Sequence, residues 1–451
     1  MKREASHRLD QWLKQTDRKP LIIRGARQTG KTWIVRDLAA RQNRKLVEIN
    51  FERTPELAVH FSEKDPVKIL KNLSAELAQS IQPENTLLFL DEIQAAPEVF
   101  ACLRWFKEEL PELAVISAGS LLDFVLAKHT FSMPVGRISY FYLEPLSFLE
   151  FVCAIGNDPL FAALKSASFS SPLNETLHKK CLELYRIDCL CGGMPEAVNK
   201  WVASEDMNAC MTVQTDLIAT CRDDFSKYGE NGELLRKTLR SVAEQLGNKF
   251  VLSQVDQNVR SHDTRKALSL LAMARIISTV QHSAGNGIPL GAEANEKFIK
   301  ALFLDIGLVS AQLGLARMKP EEIKQIIFSN QGALAEQFTG QQIRYALAFN
   351  GDPELYYWQR IAGRQGEIDY LLESGGKVLP VEVKSGSEGS MKSLHQFMHD
   401  KKLSLAVRVD ANNLSKSDLD LKTTTGQPVQ YTLLSIPLYL AERIFELAKT
   451  L

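Results

Sequence analysis

The chain has little of what would place it in a membrane, in a secretory compartment or on nucleic acid by bulk charge. No apolar run is long enough to span a bilayer: the start, Met1-Lys2-Arg3-Glu4, leads into polar sequence, and the most apolar later stretch is broken by Glu144, Pro145 and Glu150. A cytoplasmic protein without a membrane span is expected. Charge of neither sign is in excess, Lys plus Arg and Asp plus Glu numbering 54 each. With no global field, any nucleic-acid partner must meet a local patch. Cysteine is scarce: the seven lie between Cys102 and Cys221 and none forms a CxxC pair, which predicts buried reduced thiols in place of disulfides or zinc ligands. His395 and His399 share a helical face, but no third ligand accompanies them.

What is present is length and order. A chain of 451 residues with 45% hydrophobic content exceeds a single core and predicts roughly two to four domains. Its sharpest feature is Gly25-Ala26-Arg27-Gln28-Thr29-Gly30-Lys31-Thr32, a complete GxxxxGK[ST] loop between the apolar run Leu21-Ile22-Ile23 and a helical pattern from Trp33. Glycines let successive N–H groups turn toward one anion, a helix N-terminus adds positive potential, and Lys31 reaches the β- and γ-phosphates. Thr32 supplies a hydroxyl for Mg²⁺. Leu87-Leu88-Phe89-Leu90 then ends in Asp91-Glu92, the form of a Walker-B strand. Asp91 is expected in the Mg²⁺ shell and Glu92 beside the attacking water, so the pair implies ATP hydrolysis. The first 45 residues carry thirteen Lys/Arg against four Asp/Glu, as a polyphosphate site requires.

Apolar runs at Leu21–Ile23, Leu46–Asn50, Leu87–Leu90 and Ala114–Ser117 alternate with helical patterns, predicting an α/β domain with a parallel sheet over residues 1–144. Ser117 or Ser120, at the end of the last run, is the candidate γ-phosphate sensor. Residues 145–228 read as a helical lid interrupted by Gly192-Gly193-Met194-Pro195, and Arg137 before it is a candidate to approach the γ-phosphate in cis or from a neighbour, which leaves an oligomer open. Residues 229–325 read as winged-helix-like, with Thr264 to Ile277 as an amphipathic helix and Arg265 and Lys266 near its start. Such an element either reads DNA or packs on a neighbouring domain.

Residues 326–451 hold a second chemical pattern. Gly366-Glu367-Ile368-Asp369-Tyr370-Leu371-Leu372 and Val378-Leu379-Pro380-Val381-Glu382-Val383-Lys384 read as paired strands joined at Gly375-Gly376. The two-residue period sends Glu382 and Lys384 to one face, and Asp369 joins them from the next strand. That is the D…ExK arrangement of metal-dependent nucleases, in which carboxylates hold Mg²⁺ and a lysine steers water or stabilises charge. Glu336 is a further expected metal ligand from a preceding helix, and Gln396 an orienting residue. Such a core also serves as a binding platform without cleavage.

Taken together, the chain resembles, over nearly its full length, a widespread prokaryotic family of ATPases with an N-terminal AAA-type domain and a C-terminal domain related to PD-(D/E)xK nucleases. The likeness rests on Ile22–Thr32, Leu90-Asp91-Glu92-Ile93-Gln94, Gly136-Arg137 with Leu143-Glu144-Pro145-Leu146-Ser147-Phe148, Gly192-Gly193-Met194-Pro195, Phe303-Leu304-Asp305-Ile306-Gly307-Leu308, Tyr357-Trp358, Glu367-Ile368-Asp369 and Val381-Glu382-Val383-Lys384. The resemblance implies an ATPase core, a helical and winged-helix middle, and a C-terminal restriction-endonuclease-like α/β domain. It also implies that Pro195 corresponds to the proline of a GxP loop packed near the adenine. In one departure Ala118 stands where the family often has threonine, leaving Ser117 or Ser120 as sensor. The leading expectation is a Mg²⁺-dependent ATPase whose nuclease-like domain binds or cleaves DNA under nucleotide control. The rival is an ATP-driven switch whose C-terminal domain binds a protein partner and cuts nothing. A small-molecule kinase fits less well, because Asp91-Glu92 supplies a water-directed base and the C-terminal half would be idle.

Overall fold

The computed structural model describes residues 2–120, 122–124, 134–225, 231–314, 331–360 and 366–449; the expected boundaries at 228/229 and 325/326 lie outside them. Strands β1 (Leu21–Arg24), β2 (Lys45–Asn50), β3 (Thr86–Asp91), β4 (Ala114–Gly119) and β5 (Ser139–Tyr142) form a five-stranded parallel sheet in the order β2-β3-β4-β1-β5. Its strands bury both faces, and the two-residue period divides them between two cores. Leu21, Ile23, Leu87, Phe89, Ala114 and Ile116 pack on helices α1 (Glu4–Lys14) and α2 (Lys31–Arg41). Ile22, Leu88, Leu90 and Val115 pack on α3 (Pro66–Glu76) and α4 (Glu98–Glu109). Both faces covered by helices is what a parallel sheet requires.

A helical segment follows: α5 (Phe148–Ala154), α6 (Asp158–Ser166), α7 (Glu175–Cys191), α8 (Pro195–Ser204) and α9 (Met207–Asp223). Helix α5 opens with a reciprocal capping box between Ser147 and Glu150, and Pro195 starts α8 at a position where its missing N–H costs nothing. Helices α10 (Gly232–Glu244) and α11 (Ser261–Met273) then lead into an antiparallel pair, β6 (Ile277–Ser283) and β7 (Ala294–Phe303), and into α12 (Ile306–Gln312). The helix expected to reach Ile277 stops at Met273, because Arg275 takes a left-handed φ of 57° and Ile277 begins β6.

The remainder comprises α13 (Gln331–Ala348), β8 (Leu355–Gln359), β9 (Glu367–Ser374), β10 (Lys377–Val383), α14 (Lys392–Lys401), β11 (Leu405–Asp410), β12 (Ser415–Lys422), β13 (Pro428–Pro437) and α15 (Ile444–Lys449). Gly375 and Gly376, both at positive φ, close the β9–β10 hairpin. These strands and the β6–β7 pair make one mixed eight-stranded sheet in the order β12-β13-β11-β10-β9-β8-β6-β7. Strand β6 joins it through a short parallel pairing, Val280–His282 with Leu355–Tyr357, so the sheet runs across the expected 325/326 boundary.

Helix α13 crosses between the parts. Besides apolar Leu334, Ala335, Phe338 and Ile343 it buries Glu336, Gln337, Gln341, Gln342 and Arg344. Each of these polar side chains is bonded, as burial demands. Gln337 pairs with both backbone groups of Phe303, Gln341 accepts from the Ile306 N–H, Gln342 accepts from the Phe148 N–H, and Arg344 donates to Glu144. All seven cysteines are free, and among the described residues no helix is long and apolar enough to cross a membrane.

Candidate functional sites

The phosphate loop connects the carboxyl end of β1 to the start of α2. Gly30 has φ 94°, and a Cβ on Gly25 would come within 2.5 Å of the Leu143 carbonyl oxygen, so backbone geometry requires glycine at both. Lys31 is buried and donates to the loop's own carbonyls, Gly25 at 3.0 Å and Ala26 at 2.7 Å. Burial lowers its pKa to about 8, against the attraction of Glu92 and Asp91. The loop thus holds a desolvated ammonium with only neutral oxygens in direct contact. Thr32 donates to Asp91 at 3.1 Å, and Asn50 donates to the same carboxylate oxygen at 3.3 Å. Burial, then Glu92, raises the Asp91 pKa. A hydroxyl and a carboxylate side by side form a hard-oxygen donor pair that suits Mg²⁺. Glu92 itself sits at φ 50°, a sparsely populated conformation for a non-glycine residue, and accepts from Gln94 Nε2 at 2.5 Å.

The two sensor candidates separate. Ser117 lies within β4, paired to Ile22 and Leu90, with its buried hydroxyl unpartnered. Ser120 lies past the strand's carboxyl end and accepts from Arg27 Nε at 3.3 Å. Arg27 also forms an ion pair with Asp224, at the end of α9. Pro195 lies on Gly30, its Cγ 3.9 Å from where a Cβ would stand. A cavity of about 60 Å³ adjoins the loop, walled by Ala26, Met194, Leu217, Ile276, Leu304 and Leu308. The cis role of Arg137 needs correction. Ser139, two residues later, pairs with Leu21 at the amino end of β1, opposite the edge bearing the loop, and the half-exposed guanidinium is engaged by Glu108 at 2.6 Å. What is left for it is a surface ion pair or a role across a subunit boundary.

In the C-terminal sheet, Asp369 on β9 accepts from the Val383 N–H at 2.6 Å, and Lys384 donates to Glu382 at 2.6 Å. Burial and then Asp369 push the Glu382 pKa up to about 7, against Lys384. One oxygen of Glu382 stays buried without a partner. The carboxylates whose oxygens lie within 4.8 Å of one another are Glu336, Glu367 and Asp369. Glu382 is not among the three, its carboxylate being drawn to Lys384. At their centre is a group the sequence reading did not single out: Lys300 of β7, 1% exposed, bonds Glu336 at 2.7 Å and Glu367, and stands 4.0 Å from Asp369. Burial works against its ammonium, but Glu336, Asp369 and Glu367 outweigh it and raise the pKa. Its signal was a lone lysine in the apolar run Phe298-Ile299-Lys300-Ala301-Leu302-Phe303. Gln396 is occupied by Asp400 and Thr425. His395 and His399 are engaged separately, by Tyr431 and Asp400. Arg265 donates to the Glu296 carbonyl of β7.

Between the two sites Asp305 is buried at the start of α12. It accepts from the N–H groups of Gly193 at 2.6 Å and Gly307 at 2.9 Å and from Gln341 of α13 at 3.0 Å. Burial, against these donors, raises its pKa to about 6.

Comparison with known proteins bears on these sites unequally. Residues 17–152 match the family model described as an AAA domain. Residues 182–319 and 331–434 match models described as domains of unknown function, DUF8612 and DUF4143. No curated protein matches the chain. Among solved structures it is similar to the Aeropyrum pernix ORC2 protein, at 15% identity over 72% of this chain and 93% of that one with a TM-score of 0.32. It is also similar to the Thermotoga maritima RuvB Holliday junction branch migration motor, at 14% identity over 61% and 88% with a TM-score of 0.29. A third is C. elegans PCH-2, at 12% identity and a TM-score of 0.26, covering 46% of this chain and 63% of that one. The chain thus carries an AAA-type P-loop ATPase domain at its N-terminal end, joined to a C-terminal mixed sheet.

Proposed function

We propose that this protein is a Mg²⁺-dependent ATPase in which nucleotide binding and hydrolysis control a C-terminal nuclease-like domain that binds or cleaves DNA. The observation that carries the reading is the chain of contacts from Pro195 on Gly30, through the Gly193 N–H on Asp305, to Gln341 of α13, the helix that bears Glu336. One buried carboxylate ties the loop beside the nucleotide to the helix of the acidic site. The N–H groups of residues 25–32 and Lys31 receive the phosphates, and Glu92 takes the proton of the attacking water. Thr32 and Asp91 would hold Mg²⁺, which screens phosphate charge when bound. The base would seat against that cavity, whose walls include Met194, Leu304 and Leu308. Met194 follows Gly193, which donates to Asp305, and Leu304 precedes Asp305, so contact with the base gives nucleotide a differential interaction with two states of this carboxylate.

On the effector side, a polar cavity of about 780 Å³ is lined by the amides of Gln245, Asn248 and Gln359, the cations Lys249 and Arg360 and the carboxylates Glu244 and Glu367. The amides suit hydrogen bonding to nucleic-acid bases, while the two cations are matched by two carboxylates. The non-cleaving reading, with a protein partner, has one observation in its favour: Lys300 already occupies the acidic cluster. The test is metal-dependent binding and cleavage of supercoiled and single-stranded DNA, with and without ATP, by wild type, Lys31→Ala, Glu92→Gln, Asp369→Ala and Lys384→Ala. Cleavage lost in the last two and altered in the first two is the expected result. ATP hydrolysis without any DNA binding or cutting would transfer the reading to a protein partner.

A further inference from the structure

The acidic cluster where α13 and β9 begin is built like a metal site but already holds a cation. Lys300 Nζ is 2.7 Å from Glu336, bonded to Glu367 and 4.0 Å from Asp369, while these three carboxylates offer oxygens within 4.8 Å of one another. Hard divalent cations take such a cage of oxygens, and here an ammonium sits inside it. Independently of the cluster, the buried Glu382 keeps one oxygen without a partner. An acceptor is therefore left over once both lysines have been counted. The ammonium is not part of the strands that carry the carboxylates. It comes from β7, at the far edge of the sheet, whose partner β6 is attached to β8 over three residue pairs. The same strand ends two residues before Asp305, the carboxylate that holds the Gly193 loop.

We propose that Lys300 is the resident cation of the C-terminal site: its ammonium takes the place of a divalent metal ion, and no such ion enters until β7 withdraws it. The inference rests on the nuclease-like reading of Asp369, Glu382 and Lys384 and adds a gate to it. Two cations do not share one small carboxylate cage, since their repulsion adds to the cost of desolvating the incoming ion. Lys300 supplies part of the positive charge that lets three carboxylates be gathered in one place without metal. It cannot supply the open coordination positions that metal-assisted hydrolysis needs. The cage in this conformation is occupied by an ammonium and closed, while its carboxylates still outnumber the cation inside it.

Mn²⁺ binding to the full chain without nucleotide, followed by electron paramagnetic resonance and by thermal shift, tests this directly. The proteins compared are wild type, Lys300→Met, Lys300→Gln and the double variant Lys300→Met/Asp369→Asn. The expected result is a Mn²⁺ site in Lys300→Met at least tenfold tighter than in wild type, absent from the double variant, with Mn²⁺ raising the melting temperature of Lys300→Met and not that of wild type. Lys300→Gln keeps a donor to the carboxylates and reads the same difference if the methionine variant is unfolded without metal. An Asp369-dependent site of equal affinity in wild type overturns the gate while leaving the nuclease-like reading intact. A folded Lys300→Met or Lys300→Gln with no Asp369-dependent site overturns both. Failure of both variants to fold in Mn²⁺ shows that the ion does not replace the ammonium and also ends the proposal.

Discussion

Two lysines are buried in this molecule at places where chemistry is expected, and their surroundings are opposite. Lys31 faces the carbonyl oxygens of Gly25 and Ala26, and burial brings its pKa down to about 8. Lys300 faces Glu336, Glu367 and Asp369, and its pKa is raised in spite of burial. The first ammonium is held by dipoles and has no counter-charge in direct contact, so an arriving polyphosphate completes it. The second is already paired by its own chain. A buried cation without a paired anion is ready for a ligand; one already paired with carboxylates must first be withdrawn from them.

Exchanging each lysine for methionine gives the largest expected contrast. Lys300→Met leaves buried carboxylates unpaired and should cost about 3–5 kcal/mol of stability, read as a lowered urea midpoint in metal-free buffer. Lys31→Met removes an unfavourably buried charge along with two hydrogen bonds, and its stability change should stay within about 1 kcal/mol. Its ATP hydrolysis should fall on the order of 10²- to 10³-fold, as when a preorganised donor is lost from a charged transition state. Equal destabilisation by the two substitutions would erase the distinction between the sites.

The two regions also differed in how far the sequence alone revealed them. The phosphate loop is contiguous, and the backbone geometry of Gly25, Gly30 and Lys31 follows from eight neighbouring residues. The apolar runs of β3 and β4, alternating along the chain with helical patterns, equally foretold a sheet buried on both faces. The C-terminal cluster is assembled from distant segments. Asp369, Glu382 and Lys384 were legible because a hairpin with the Gly375-Gly376 turn fixes their register. Lys300 was not, because it arrives from β7 through a tertiary pairing of β6 with β8 that no local pattern encodes. Asp305 was visible only as part of a motif, and its contact with Gly193 spans 112 residues. Arg137 was drawn to the loop by proximity in sequence to the lid, whereas strand register places it at the opposite sheet edge.

Proton linkage sharpens the comparison at the nucleotide site. Below about pH 8 the free Lys31 carries its proton, and bound phosphates favour that charged form. Above it, the free protein must take up a proton in order to bind. ATP affinity should therefore be nearly flat from pH 6.5 to 7.5 and fall to about a tenth of that plateau by pH 9, measured by titration calorimetry in buffers of different ionisation enthalpy. Because the folded-state pKa is depressed, the same proton gives the nucleotide-free protein a stability contribution that is present above the unfolded lysine pKa and lost as pH falls through about 8. An affinity unchanged up to pH 9 would mean that Lys31 is not the desolvated group the loop geometry makes it.

The smallest effect separates the two serines and asks whether the nucleotide site ends at the strand or beyond it. Ser120 is bonded to Arg27, itself paired with Asp224 at the end of α9, so its hydroxyl lies on the seam between the loop and the helical segment. Losing one hydrogen bond to a charged group is worth roughly 1.5–3 kcal/mol at most, and much of that is recovered because the partly exposed Arg27 keeps its ion pair with Asp224. Ser120→Ala should thus slow hydrolysis by about three- to tenfold while leaving the urea midpoint nearly unchanged. Ser117 is enclosed between β1 and β3 with no partner for its hydroxyl. Removing a buried, unbonded hydroxyl to leave a methyl side chain removes a desolvation cost, so Ser117→Ala should keep full activity and raise the midpoint slightly. The reverse pattern, activity lost at Ser117 and kept at Ser120, would place the γ-phosphate deeper against β4 than the carboxyl edge of the sheet and would detach Arg27 from its sensing.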